Sequence, residues 1–92
     1  MTMVKLVVHT DMKNRSRTDI TAQILEVAAS GPVTKSMIMY KAFLSYSQLK
    51  DYLATLVGNG LLRYVKEDNR YMTSEKGLKL MKAMGEFQRL SF

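Results

Sequence analysis

The sequence has no cysteine and a single histidine, His9, among 92 residues. The first absence excludes disulfides and thiolate metal sites. The second removes histidine metal clusters and any serine–histidine nucleophile pair. Long apolar runs are missing as well: none comes near the ~20 residues that span a bilayer. Met1–Val8 holds one lysine before a short apolar patch, too little for a secretory signal. A cytoplasmic, soluble chain that engages no membrane is expected. Carboxylates are scarce too, with eight Asp and Glu in all. Asp51 with Glu67 or Asp68 is the only conceivable catalytic set, and nothing in the pattern gathers them in a cleft. The expectation is a protein that is not an enzyme and carries no cofactor.

What is present is ordinary globular composition, 47% hydrophobic and 24% charged, sized for one domain. The balance is basic, with a net charge of +6 and an isoelectric point near 9.7. Such a surplus raises the local concentration of polyanions. By itself it does not separate nucleic acid from an acidic protein or an anionic surface. Residues 1–17 hold Lys5, Lys13, Arg15 and Arg17 against Asp11, a net +3. Lys13–Arg17 is polar and aperiodic, and reads either as a solvated linker or as a basic arm on a phosphate backbone. Upstream, the β-branched run Val4–Val8 is a candidate strand.

From residue 18 onward the chain alternates between helical patterns and punctuation. Thr18 or Asp19 caps a first helix with Ile20, Ile24, Val27 and Ala28 on one face, ended by Ser30-Gly31-Pro32. Val33 is a lone extended residue. Thr34 caps a short second helix through Ala42, with Met37, Ile38 and Phe43 available to the core. Leu44 fills a tight turn, and Ser45 caps a third helix, Tyr46 to Val57, that stops at Gly58-Asn59-Gly60. Leu61–Val65 and Arg70–Thr73 then read as strands joined at Lys66-Glu67-Asp68-Asn69. Thr73 or Ser74 caps a final helix with Glu75 in its first turn.

The third helix carries most of the functional content. At 100° per residue, Leu49, Tyr52, Leu53, Leu56 and Val57 share one side, with Tyr46 at the margin. Ser47, Gln48, Asp51 and Thr55 take the other, with Lys50 at the border. Its outer N-terminal end is small and hydrogen-bonding, and suits phosphate oxygens and base edges. An amphipathic helix that is merely solvated has the same pattern. The short partner helix and tight turn before it point instead to a helix-turn-helix, and the hairpin after it to a wing. Glu67 and Asp68 at the wing tip repel phosphate, so a flanking backbone contact by Lys66 and Arg70 is expected.

In the last helix, Lys79, Lys82, Glu86 and Arg89 share one sector. Leu78, Leu80, Met81, Ala83, Met84, Phe87 and Leu90 spread over roughly 240° of the remainder, more than packing on one domain uses. The surplus arc calls for a second copy in a two-fold dimer, or for Met3–Val8 folded back across it.

Met39–Leu53, then Gly60-Leu61-Leu62, then Tyr71–Gly77 resemble the archaeal winged-helix regulators, among them the small dimeric chromatin-associated DNA-binding proteins. The resemblance covers about residues 18–90. Its more specific parts are Met39-Tyr40-Lys41-Ala42 with Leu44-Ser45-Tyr46, and Thr73 with Lys76-Gly77. It implies that Ser45–Lys50 faces the major groove and that the last helix pairs antiparallel across a dimer. Phe43 stands where the family usually has asparagine. The last helix stops at Phe92, whereas chromatin-type members continue into a long coiled coil, so either a compact dimer contact or a different dimer geometry is expected.

The combined expectation is a mainly α protein with a small β-hairpin, α+β in class, of winged helix-turn-helix architecture. Residues 1–17 form a strand and basic arm, and residues 18–92 the winged-helix domain with a C-terminal dimerisation helix. A homodimer sets two third helices in successive major grooves of double-stranded DNA, about one helical turn apart. Arg15, Arg17, Lys35, Lys50, Lys66 and Arg70 neutralise phosphates, while Ser45, Tyr46, Ser47 and Gln48 approach base edges. Leu80, Met81, Met84, Phe87 and Leu90 form the dimer contact. The role is that of a transcriptional regulator or nucleoid-associated protein; the alternative is a winged-helix module for protein–protein assembly.

Overall fold

The computed structural model describes the backbone of residues 15–90 and the side chains of residues 15–85. The candidate strand Val4–Val8, with Lys5 and Lys13 of the arm, lies outside the described residues. Four helices and one hairpin follow in the order α1 (Arg17–Ala29), α2 (Lys35–Lys41), α3 (Tyr46–Gly58), β1 (Leu62–Val65), β2 (Arg70–Thr73) and α4 (Glu75–Leu90).

Helix α1 begins slightly earlier than its apolar periodicity implies. Its N-cap is Ser16, whose hydroxyl accepts from the Asp19 N–H while the Asp19 carboxylate accepts from the Ser16 N–H. This reciprocal capping box satisfies two of the otherwise orphaned donors. Asp19 is thus the N3 partner of the cap, and Thr18 lies within the first turn. Thr34 caps α2 and Ser45 caps α3 as the sequence indicates. Helix α4 starts after Ser74, whose hydroxyl accepts from the Gly77 N–H.

The core is built from the expected helical faces. Ile20, Ile24, Leu25 and Ala28 of α1, Ile38 of α2, and Leu49, Tyr52, Leu53 and Leu56 of α3 are buried together with Val33, Ala42, Leu44 and Leu62. Leu80, Met81 and Met84 of α4 pack on this cluster while remaining partly exposed. Three residues expected on the apolar side stay outside: Phe43 is 61% exposed, and Met37 and Val57 are each 37%. Phe43 follows the last turn of α2 in a left-handed conformation that turns its side chain away from the core.

The hairpin pairs Leu62 with Thr73 and Val65 with Arg70, leaving Lys66–Asn69 as a four-residue turn. Asn69 takes the left-handed conformation such a turn requires (φ 56°), and its side-chain oxygen accepts from the Tyr64 hydroxyl at 2.6 Å. Val33 is more than a lone extended residue. It exchanges two backbone hydrogen bonds with Tyr71, at 2.7 and 2.8 Å, and so lies on the free edge of β2. This pairing ties the α1–α2 connection to the hairpin.

Candidate nucleic-acid interface

Helix α2, the Phe43-Leu44 corner and helix α3 form a helix-turn-helix, with the hairpin beginning four residues after α3 ends. The corner is a helix stop that reverses the chain. The Leu44 N–H donates to the Met39 carbonyl at 3.0 Å while Phe43 holds φ 54°. Those are the hydrogen bond and the left-handed residue of a Schellman stop. Glycine or asparagine usually fills that position because neither suffers much from the left-handed geometry. Here it is filled by phenylalanine.

Arg15 braces the same corner. Its guanidinium is half-buried and donates to the carbonyls of Ala42 at 2.7 Å and Phe43 at 2.9 Å, and to the Gln23 side chain. The sequence pattern assigns Arg15 to a phosphate; in the structure these donors go to protein carbonyls. Arg17 lies with its guanidinium carbon 4.6 Å from the ring centroid of Tyr52, an attractive cation–π geometry. Neither role is visible from spacing, because the Ala42 and Phe43 carbonyls and the Tyr52 ring lie 27 to 35 residues away in the chain.

The exposed end of α3 holds Ser45, Tyr46, Ser47, Gln48 and Lys50 together at the surface. Two of these are partly committed. The Ser45 hydroxyl accepts from the Gln48 N–H at 3.1 Å, and the Gln48 side-chain oxygen accepts from the Ser45 N–H at 3.0 Å. Ser45 and Gln48 thus form the capping box of their own helix. Ser47, Tyr46 (58% exposed) and Lys50 remain turned outward, the Lys50 ammonium 5.5 Å from the Tyr46 ring centroid. Lys35 is exposed on α2, Lys66 on the hairpin turn, and Arg70 is half-exposed at the start of β2. Between residues 27 and 50 the sequence contains no Asp or Glu, so this stretch, with Lys35, Lys41 and Lys50, is net positive. Of the acidic residues near this face, Asp51, Glu67 and Asp68 are exposed.

The hairpin is fixed to the helices by a compact joint. The Thr73 hydroxyl donates to the Leu25 carbonyl of α1 at 2.7 Å, in a buried position. The Ser74 hydroxyl donates to the Gly60 carbonyl at 2.6 Å, with Leu61 as a second acceptor. The Lys76 ammonium donates to the Asn59 carbonyl at the end of α3. At Gly77 an added Cβ would stand 2.3 Å from the Leu61 carbonyl oxygen and 2.7 Å from the Thr73 side chain. The Thr73–Gly77 motif therefore has a structural use at four of its five positions. It locks the hairpin against α3 and α1.

This geometry agrees with what comparison finds. A model of the winged helix-turn-helix family matches residues 14–92. The chain belongs to the winged helix-turn-helix family. An uncharacterized protein of Methanocaldococcus jannaschii is 31% identical over 72 residues, covering 78% of this winged helix and 72% of the relative. Among solved structures, Sso10a-2, a DNA-binding protein from Sulfolobus solfataricus, superposes with a TM-score of 0.73 at 28% identity. The match covers 84% of this winged helix and 82% of that chain. The resemblance to archaeal winged-helix proteins read from Met39–Leu53 and Tyr71–Gly77 is thereby upheld.

Of the expected dimer residues, Leu80, Met81 and Met84 rest one side on the domain's own core, and Leu80 and Met84 line a shallow groove with Arg17, Thr18 and Thr21. Leu78 is 44% exposed. The side chains of Phe87 and Leu90 lie outside the described residues. Among the described residues, no helix is long and apolar enough to cross a membrane.

Proposed function

We propose that this winged helix binds double-stranded DNA, with the first turns of α3 in the major groove and the hairpin against the flanking backbone. The observation that carries this reading is the outward-facing, acid-free surface running from α2 into the first turn of α3. Its lysines meet phosphates, and its capped helix end approaches the base edges. The named activity of Sso10a-2, a DNA-binding protein of the same fold, points the same way. Lys35, Lys50, Lys66 and Arg70 are the phosphate contacts, joined by Arg17. Tyr46 and Ser47 meet the base edges, with Ser45 and Gln48 holding the helix end in place.

The protein acts as a homodimer through α4. Leu80, Met81 and Met84 present the apolar area their own core leaves uncovered, and Phe87 and Leu90 extend that side in the sequence. Two copies related by a two-fold axis put both α3 helices on one face of the duplex. Its role is that of a transcriptional regulator or nucleoid-associated protein, without catalysis.

Duplex binding measured across a salt series tests the reading. Log K against log salt is expected to fall linearly, and each of Lys35→Ala and Lys50→Ala to reduce the slope by about one unit. A flat plot would sink it and favour the assembly-module alternative, for which the exposed Tyr40 and Phe43 rings would be the contact.

A further inference from the structure

The fold needs a left-handed residue at position 43, but it does not need an exposed phenylalanine ring there. The backbone of Phe43 is left-handed, at φ 54°, a conformation bulky residues rarely hold. Its ring is 61% exposed, so burial does not compensate for the backbone strain. Its carbonyl and that of Ala42 are held by Arg15, and the next N–H by the Met39 carbonyl, so the ring projects from a fixed corner. A strained residue that contributes nothing to the core, on a rigid support, points to a role outside the domain.

The surroundings indicate what the ring meets. Tyr46, three residues on, is also exposed, and Lys35, Lys41 and Lys50 flank this part of the sequence, which has no Asp or Glu between residues 27 and 50. The polar side chains of the same corner, Ser45 and Gln48, are engaged with each other's backbone. The corner thus offers a duplex an exposed apolar ring in a lysine-bearing stretch, beside the outward-facing Tyr46 and Ser47. In the major groove the apolar feature of a base edge is the 5-methyl group of thymine.

We propose that Phe43, assisted by Tyr46, reads thymine methyl groups and gives the protein a preference for thymine-containing major grooves. This rests on the DNA-binding reading above, and adds to it a specificity determinant that makes no hydrogen bond. The lysines supply affinity for any sequence; the ring selects among sequences.

The test compares an alternating dA–dT duplex with the same duplex carrying deoxyuridine for thymidine, which lacks only the methyls. The wild-type protein is expected to bind the deoxyuridine duplex about fourfold more weakly, the factor for one methyl withdrawn from water. Phe43→Asn, which tolerates the left-handed backbone, is expected to bind both duplexes equally, with an unchanged salt slope. Equal wild-type affinity for the two duplexes overturns the thymine reading while leaving DNA binding intact. So does a Phe43→Asn protein that keeps the preference. No binding to either duplex overturns both.

Discussion

Phe43 shows how much one residue's backbone can say that its side-chain type does not. An apolar residue at a helix end was expected in the core. The geometry of the helix stop decided otherwise, because the position after α2 must turn left-handed for the chain to enter α3. For an L-residue other than glycine or asparagine that conformation costs about 1–2 kcal/mol. Phe43→Asn is therefore expected to stabilise the protein by about 1 kcal/mol, read as a higher denaturant midpoint with an unchanged m-value. A destabilised variant would mean that the ring makes a packing contribution its exposure hides. Arg15 and Gln48 teach the complementary lesson. Both are polar residues of the sort that contact DNA, and both are occupied in fixing the corner that presents their neighbours.

Among the elements, α3 and the hairpin form one unit through the Gly60–Gly77 joint. Helix α3 ends in a Schellman stop, with Leu61 N–H bonded to the Leu56 carbonyl, Gly60 N–H to the Val57 carbonyl, and Gly60 at φ 76°. Thr73, Ser74 and Lys76 then bond the carbonyls of Leu25, Gly60 and Asn59. Gly77 lets the first turn of α4 approach the Leu61 carbonyl closely. Gly77→Ala forces a backbone oxygen and a buried threonine to move, and overpacking of this kind costs about 1–3 kcal/mol. Thermal unfolding is expected to show that loss, whereas an unchanged midpoint would show that the joint yields freely. The sequence exposed the motif; it did not expose the reason, because Thr73, Ser74 and Lys76 bond to partners between 13 and 48 positions away.

At the scale of the whole molecule, α4 faces two ways. Leu80, Met81 and Met84 are only partly covered by the domain, and Leu78 is exposed. The proposed dimer predicts a solution mass of twice the chain's 10.5 kDa at micromolar concentration. Met84→Glu would place a charge in that contact, and is expected to return the mass to that of one chain with helical content unchanged. A wild-type protein that sediments as a single chain would remove the dimer. Binding to a duplex would then depend on one α3 helix, and the affinity gained from joining two sites would be lost.

The sequence by itself determined which segments become helix and strand and which faces they bury. Those properties rest on local periodicity, on caps at Thr34 and Ser45, and on glycine stops, all legible within a few residues. It also determined the basic character of the α2–α3 surface, since charge is a matter of composition. The tertiary structure alone decided how individual polar groups are used. Arg15 reaches across 27 residues to the Ala42 carbonyl, Arg17 across 35 to Tyr52, and Val33 across 38 to Tyr71. Such partners are set by how the helices pack, and no pattern of spacing encodes them. The same packing set Phe43 outward.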